Sequence, residues 1–296
     1  MLRATVLGEP GSGSTTFVGL FYTALIRAAG EHPDRIRFSL TSDSVELLSR
    51  LYAQLLSGEF PESPDPTTAA TTRITLAFRR PAPGWNPFRH AEDFDTATKI
   101  EFRWLRREWD DLAKPSSARD SSSTPGTLLS ECAVPIFVVS TLPLRAAPPS
   151  TDTTPQDSKI LNILQGLARA PGPAPASSAT VLHPIFLFTE LDLLSEETLR
   201  RMGLGTTLEI GESGGARSRA QSTMFEKLIP RAIDFCDQNR GGVDAPRAYF
   251  SYVRLESGPA GPERIALRTA PDHRPEPIFP LEEYSALIDY LGELST

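Results

Sequence analysis

Two cysteines in 296 residues, Cys132 and Cys236, are too few and too far apart for a disulfide framework or a thiolate zinc site. Both stand in apolar company (ECAVPIFVV and AIDFCDQ), which reads as buried thiols kept reduced in a cytoplasm. The histidines, His32, His90, His183 and His273, are isolated, without H-x-x-x-H or H-E-x-x-H spacing, so no metal site is expected on them. No apolar run approaches the ~20 residues that a membrane-spanning helix needs. The N-terminus lacks the charged-then-apolar pattern of a leader, so a signal peptide is not expected either. Lysine is scarce: Lys99, Lys114, Lys159 and Lys227 stand against an arginine-rich background. The net charge of −7 argues against a nucleic-acid backbone as main partner, because such binding rests on a basic patch.

What remains is an ordinary globular composition, 40% hydrophobic and 23% charged, in a chain long enough for one large α/β domain. Strand-like runs occur at 3–8, 36–40, 73–80, 98–109, 133–142, 183–194 and 245–256. Helical periodicity marks 14–29, 45–56, 157–170, 222–238 and 280–294. In the second helix Val45, Leu48, Leu51, Tyr52, Leu55 and Leu56 form a stripe, with Asp43 or Ser44 as N-cap and Gly58 at the C-terminal end. The runs 73–80 and 98–109 alternate with period two and suggest an antiparallel pair. Segments 114–126, 143–180 and 205–219 are rich in Pro, Ser, Thr or Gly and read as flexible insertions, the second around a helix. Uniformly apolar strands separated by helices imply a mostly parallel, doubly wound sheet with an antiparallel edge, in a single domain spanning 1–296.

One motif carries chemistry. GEPGSGST, Gly8 to Thr15, joins the first strand to the first helix with the spacing of the phosphate loop G-x-x-x-x-G-K-[ST]. Gly8, Gly11 and Gly13 allow the tight turn, and Ser12 to Thr16 would offer backbone N–H groups to phosphate. Thr15 stands at the Mg²⁺-ligand position, with Thr16 beside it. Ser14 stands where the pattern has its lysine.

With these elements in this order, the chain resembles the small-GTPase-like (TRAFAC) class of P-loop proteins, and within it the bacterial double-GTPase-like branch. In that branch a second helical segment ends in Gly-x-aromatic-Pro before a threonine-bearing loop, as Gly58-Glu59-Phe60-Pro61 and then Thr67 and Thr68 do here. The resemblance implies that Thr67 or Thr68 lies in switch I, a Ser/Thr-rich solvated loop being the other reading. It also implies an Asp-x-x-Gly switch II where this chain has Trp104-Leu105-Arg106-Arg107-Glu108. Thr189 and Asp192 match the guanine motif [NT]-K-x-D, Glu190 replaces its lysine, and Ser251 falls at the last base-contacting position. Arg106 or Arg107 is an alternative source of phosphate-binding charge.

The motifs are thus present in position and altered in chemistry. The expectation is a degenerate GTPase-like protein with no catalytic residue and weak or no nucleotide binding. It would act as a scaffold or regulatory subunit of a bacterial multicomponent system, with a protein partner such as an active GTPase paralogue. The alternative is a divergent GTPase that binds GTP or GDP with Mg²⁺ and hydrolyses it slowly or with a partner's help.

Overall fold

The computed structural model describes residues 1–62, 71–79, 98–105, 132–145, 154–169, 181–203, 214–256, 263–270 and 273–294. Thr67, Thr68, Arg106, Arg107, Glu108 and the 114–126 insertion lie outside these. In chain order the first elements are β1 (Leu2–Gly8), α1 (Ser14–Glu31), β2 (Ile36–Leu40), α2 (Ser42–Leu56), β3 (Thr71–Phe78) and β4 (Thr98–Leu105). Then come β5 (Val134–Ser140), α3 (Pro155–Arg169), β6 (Ile185–Thr189), α4 (Glu196–Arg201), α5 (Gly214–Leu228), α6 (Pro230–Gln238) and β7 (Arg247–Ser251). Two hairpins follow, β8 (Leu255–Glu256) with β9 (Arg264–Ile265) and β10 (Leu267–Thr269) with β11 (Pro275–Pro277), and α7 (Leu281–Leu294) ends the fold.

Seven strands form one sheet in the order β2-β3-β4-β1-β5-β6-β7. From β4 to β7 all neighbours are parallel; β3 runs against both β2 and β4. The expected α/β class with a mostly parallel sheet is therefore what the chain forms, the reversed strand lying one in from the rim. The sheet is covered on both faces, which is why β5 and β6 carry unbroken apolar runs rather than alternation. Ala4 and Val6 of β1 point to the side of α1, α2 and α7, whereas Leu7 points to the side of α3, α5 and α6. Phe17 and Phe21 of α1 are fully buried, Phe21 stacking on Phe102 at 4.4 Å. Such rings contribute roughly 1.5–3 kcal/mol each relative to exposure. α1 leaves β1 on one face and α3 leaves β5 on the other. The crevice between these strands' carboxyl ends is the switch point where doubly wound sheets bind ligands.

Several boundaries differ from the sequence reading, each for a physical reason. The N-cap of α2 is Thr41, not Asp43 or Ser44. Ser44 faces inward, its Oγ bonded to Thr41 Oγ1 at 2.7 Å and accepting from the Arg73 N–H at 2.9 Å, so Val45 turns outward and is 45% exposed. Leu47 takes its place on the buried stripe. The run 183–194 ends as a strand at Thr189, and 245–256 ends at Ser251. The segment 222–238 is two helices, because Pro230 lacks an N–H and is tolerated only by starting a new one. The glycine-rich 211–219 stretch, read as a loop, already enters α5 at Gly214. The hairpins β8–β11 went unread because runs of two or three residues carry no period. One of them docks on the end of α2: Ile265 N–H donates to Gly58 O at 2.9 Å.

Candidate functional site

The loop between β1 and α1 has the backbone shape its glycines foretell. Gly11 and Gly13 take φ of 81° and 76°, the left-handed region closed to most side chains. Gly8 is required for another reason: a Cβ there would lie 2.8 Å from both Ser12 Oγ and Ser14 Cβ. Those two side chains fold back over Gly8. Gly13 is the N-cap of α1, and the first helical backbone bond runs from Phe17 N–H to Gly13 O at 2.9 Å. Among the described residues the N–H groups of Ser14, Thr15 and Thr16 have no protein acceptor, as expected for a first helical turn. Thr15 and Thr16 are half-buried. The Ser12 hydroxyl is buried without a hydrogen-bond partner. Oriented amides with the helix dipole behind them favour an anion.

The charged side chains around this cradle work against one. Glu9, in the loop, pairs with Lys159 of α3 at 2.5 Å, Nζ to Oε1. Glu190 follows β6 in a left-handed conformation (φ 64°), its Cγ only 3.6 Å from where a Gly13 Cβ would stand. Its carboxylate accepts from the Ser140 hydroxyl at the end of β5. Burial pushes the Glu190 carboxyl up, the Ser140 bond opposing that shift. Asp192 is pushed up to about 6, by burial first; the nearby Glu190 and Glu263 carboxylates add to this, and the Val253 N–H opposes it. Glu9, paired with Lys159, and Glu190 thus lie at the loop, and Asp192 follows Glu190 two residues on.

Thr189 holds the two halves of the crevice together. Its hydroxyl is 2.6 Å from Ser12 O and 3.2 Å from Val139 O, and the residue is 2% exposed. The register Ser140↔Thr189↔Ser251 brings the ends of β5, β6 and β7 level. Ser251, expected at the base, is 4% exposed, and its hydroxyl bonds the Tyr284 hydroxyl of α7 at 2.6 Å. Tyr284 stacks on Phe17 at 5.8 Å and meets Phe279 edge-on at 5.2 Å, so the Ser251 side chain belongs to the core. Leu105, the last described residue of β4, pairs with Leu7 and is buried. Arg103 is engaged with Glu101 at 2.7 Å, on the same strand. Among the described residues no group of three or more His, Cys, Asp or Glu is placed to hold a metal ion. No helix there is long and apolar enough to cross a membrane.

Of the sequence candidates, Gly8, Gly11, Ser12, Gly13, Ser14, Thr15, Thr16, Thr189 and Asp192 share one crevice. Ser251 borders it with its side chain turned away. Glu9, Lys159, Ser140 and Tyr284 were not singled out from sequence. Glu9 fills an unspecified position of the phosphate-loop pattern and carried no signal of its own. Lys159 carried only its rarity as a signal, and the contacts of Ser140 and Tyr284 are tertiary. Cys132 and Cys236 are buried, and burial pushes their thiols up to about 11 and about 12, so neither is a nucleophile at neutral pH.

No protein-family model matches the chain, and no curated protein does. Among solved structures the chain is similar to one from "Signal recognition particle receptor SRb-GTP/SRX complex from Chaetomium thermophilum". The identity is 14% over 88% of this chain and 93% of that one, with a TM-score of 0.34.

Proposed function

We propose that this chain is a GTPase-shaped interaction module whose nucleotide site has lost its chemistry: a pseudo-GTPase that binds nucleotide weakly or not at all. The observation that supports it most is the charge balance of the crevice. Ser14 supplies no cation, Lys159 is neutralised by Glu9, and Glu190 brings a carboxylate to the loop where the resembled motif carries a lysine. A triphosphate entering this site would meet the Glu190 carboxylate beside the loop, where like-charge contact is costly. Losing the loop lysine alone removes a charge-assisted contact of roughly 1.5–3 kcal/mol, or one to two decades of affinity. The added Glu190 carboxylate deepens that loss. Hydrolysis further needs a cationic clamp and a positioned water, and no described residue is placed for either.

A fold kept intact around such a site has its surface left to work with. By the resemblance, its partner is an active GTPase paralogue or another subunit of a bacterial multicomponent assembly. Calorimetric titration of the purified chain with GTP, GDP and ATP, with and without Mg²⁺, tests the reading. The expected result is no saturable binding tighter than about 10 µM, equivalent to about −7 kcal/mol. Saturable binding below that value, lost in Asp192→Ala for guanine nucleotides alone, establishes the divergent GTPase instead.

A further inference from the structure

At the β2–β3–β4 end, one face of the sheet is left to polar side chains. On the side of α3, α5 and α6 the apolar cluster draws strand residues from β1, β4, β5, β6 and β7, and none from β2 or β3. Ile36, Ile74, Ile100 and Phe102 face the other way, toward α1, α2 and α7. Strand alternation therefore turns Arg3 of β1, Arg37 of β2, Arg73 of β3, and Lys99, Glu101 and Arg103 of β4 to the first side. Only the small side chains of Ser39, Thr75 and Ala77 stand between them. Five cations thus share this face with one carboxylate, on a chain whose net charge is −7. Glu101, 8% exposed, accepts from Arg103 at 2.7 Å and from Arg3 at 3.3 Å, with Arg73 at 3.6 Å. Burial works to raise its carboxyl, yet the Arg103, Arg73 and Arg3 guanidiniums hold it below its ordinary value. Arg73 and Arg103 stand directly opposite each other, a like-charge pairing that works against the sheet. The Arg73 side chain is 47% exposed, and Lys99 is exposed with no carboxylate partner among the described residues.

We propose that this face is a docking surface for an acidic polypeptide segment of a partner protein. Charge complementarity selects that occupant. By strand geometry the cations span about 13 Å along the strands, from Arg73 to Lys99, and about 14 Å across them, from Arg37 to Arg3. That is room for several carboxylates, which guanidinium groups bind in a planar fork. A second copy across a two-fold axis would bring the same arginines face to face. Among the described residues of β2, β3 and β4 that turn to this side there is no aromatic ring for a nucleic-acid base to stack on. The one large apolar side chain there, Leu105, is buried, which leaves nothing to enter a bilayer. Nucleic acid and anionic membrane are also extended polyanions that a chain of net charge −7 repels as a whole, whereas a short segment meets only the local field. The proposal rests on the reading of this chain as an interaction module and adds where the partner sits and what its surface carries.

Fluorescence anisotropy of a fluorescein-labelled peptide of alternating Glu and Ser, titrated with the full chain at low salt and at about 0.15 M, tests it. Saturable binding that weakens as salt rises is the expected result. Arg73→Glu/Lys99→Glu is expected to weaken it about tenfold or more, since two exposed pairs are lost and repulsions take their place. Arg50→Glu/Arg200→Glu makes the same change in net charge at exposed positions of α2 and α4, and should stay within about twofold of wild type at the higher salt. Thermal melting checks each fold; if a reversal does not fold, Arg73→Gln/Lys99→Gln is compared with Arg50→Gln/Arg200→Gln instead. No binding by the folded wild type overturns the proposal, and so does equal weakening in the two double variants, which marks an effect of bulk charge. Tighter binding of a labelled oligo-dT strand or of phosphatidylserine vesicles than of the peptide overturns it too. Tight saturable nucleotide binding in the calorimetric titration overturns the pseudo-GTPase reading under Proposed function instead. The two failures are therefore told apart by which ligand is bound.

Discussion

The two ends of the proposed nucleotide crevice differ in kind. At the phosphate end Gly11 and Gly13 take left-handed turns, the first-turn amides have no protein acceptor among the described residues, and Ser14 stands where the resembled pattern has its lysine. At the base end the side chains have found partners within the protein. Ser251 bonds Tyr284, Glu190 bonds Ser140, and Thr189 is tied to Ser12 and Val139. Loss of charge leaves a loop that substitution can restore; internal satisfaction of polar groups removes the groups themselves. The first end should respond to mutation mainly in binding, and the second mainly in stability.

The largest effect is expected at Tyr284. Truncation to alanine removes a fully buried ring stacked on Phe17 and should cost about 3–5 kcal/mol in denaturant unfolding. Tyr284→Phe keeps the ring and strands the Ser251 hydroxyl, for about 1–3 kcal/mol. At the phosphate end, Gly13→Ala forces a Cβ at positive φ to 3.2 Å from Thr189 Cβ, which should cost about 1–3 kcal/mol. Ser14→Ala, by contrast, should stay within about 0.5 kcal/mol of wild type. A stability loss at Ser14 equal to that at Tyr284 would break the comparison.

The base end should also carry a pH signature. Asp192 is raised to about 6 in the folded chain, above the unfolded carboxylate value of about 4. Over that window the folded state binds more protons, so this group's contribution to stability falls as pH rises and is gone above about 6. The melting temperature of Asp192→Asn should therefore lose less than wild type does between pH 4 and pH 6. An identical slope in both proteins would remove Asp192 from the account. Ser14→Lys tests the loop through binding rather than stability. A lysine placed there still meets Glu9 and Glu190, so GTP affinity should rise by no more than about tenfold. A gain of several decades would mean that the base end is open after all.

Much of this was legible in the sequence, and the exceptions are instructive. The strand–loop–helix around Gly8–Thr15 could be read because glycine spacing and apolar periodicity are local properties. So could the buried strands β5 and β6, which are apolar throughout. Val45 misled because its helical spacing is right, yet the first turn of α2 is oriented by the bond from Arg73 N–H to Ser44. At the ends of β6 and β7 the sequence marked residues but not their contacts. Thr189 and Asp192 were singled out by a motif match, whereas the partner that takes up Ser251 lies 33 residues away on α7. The Lys159–Glu9 pair spans 150 residues and leaves no pattern in the chain.

As proposed, this crevice has the shape of a nucleotide site and binds the nucleotide weakly or not at all. Amide resonances of Gly11, Gly13 and Thr15 in the ¹⁵N-labelled wild-type chain report on it directly, followed while GTP and Mg²⁺ are added to millimolar levels. A closed site leaves those resonances in place or moves them only in linear, unsaturated fashion. Saturation with a midpoint below about 10 µM contradicts it.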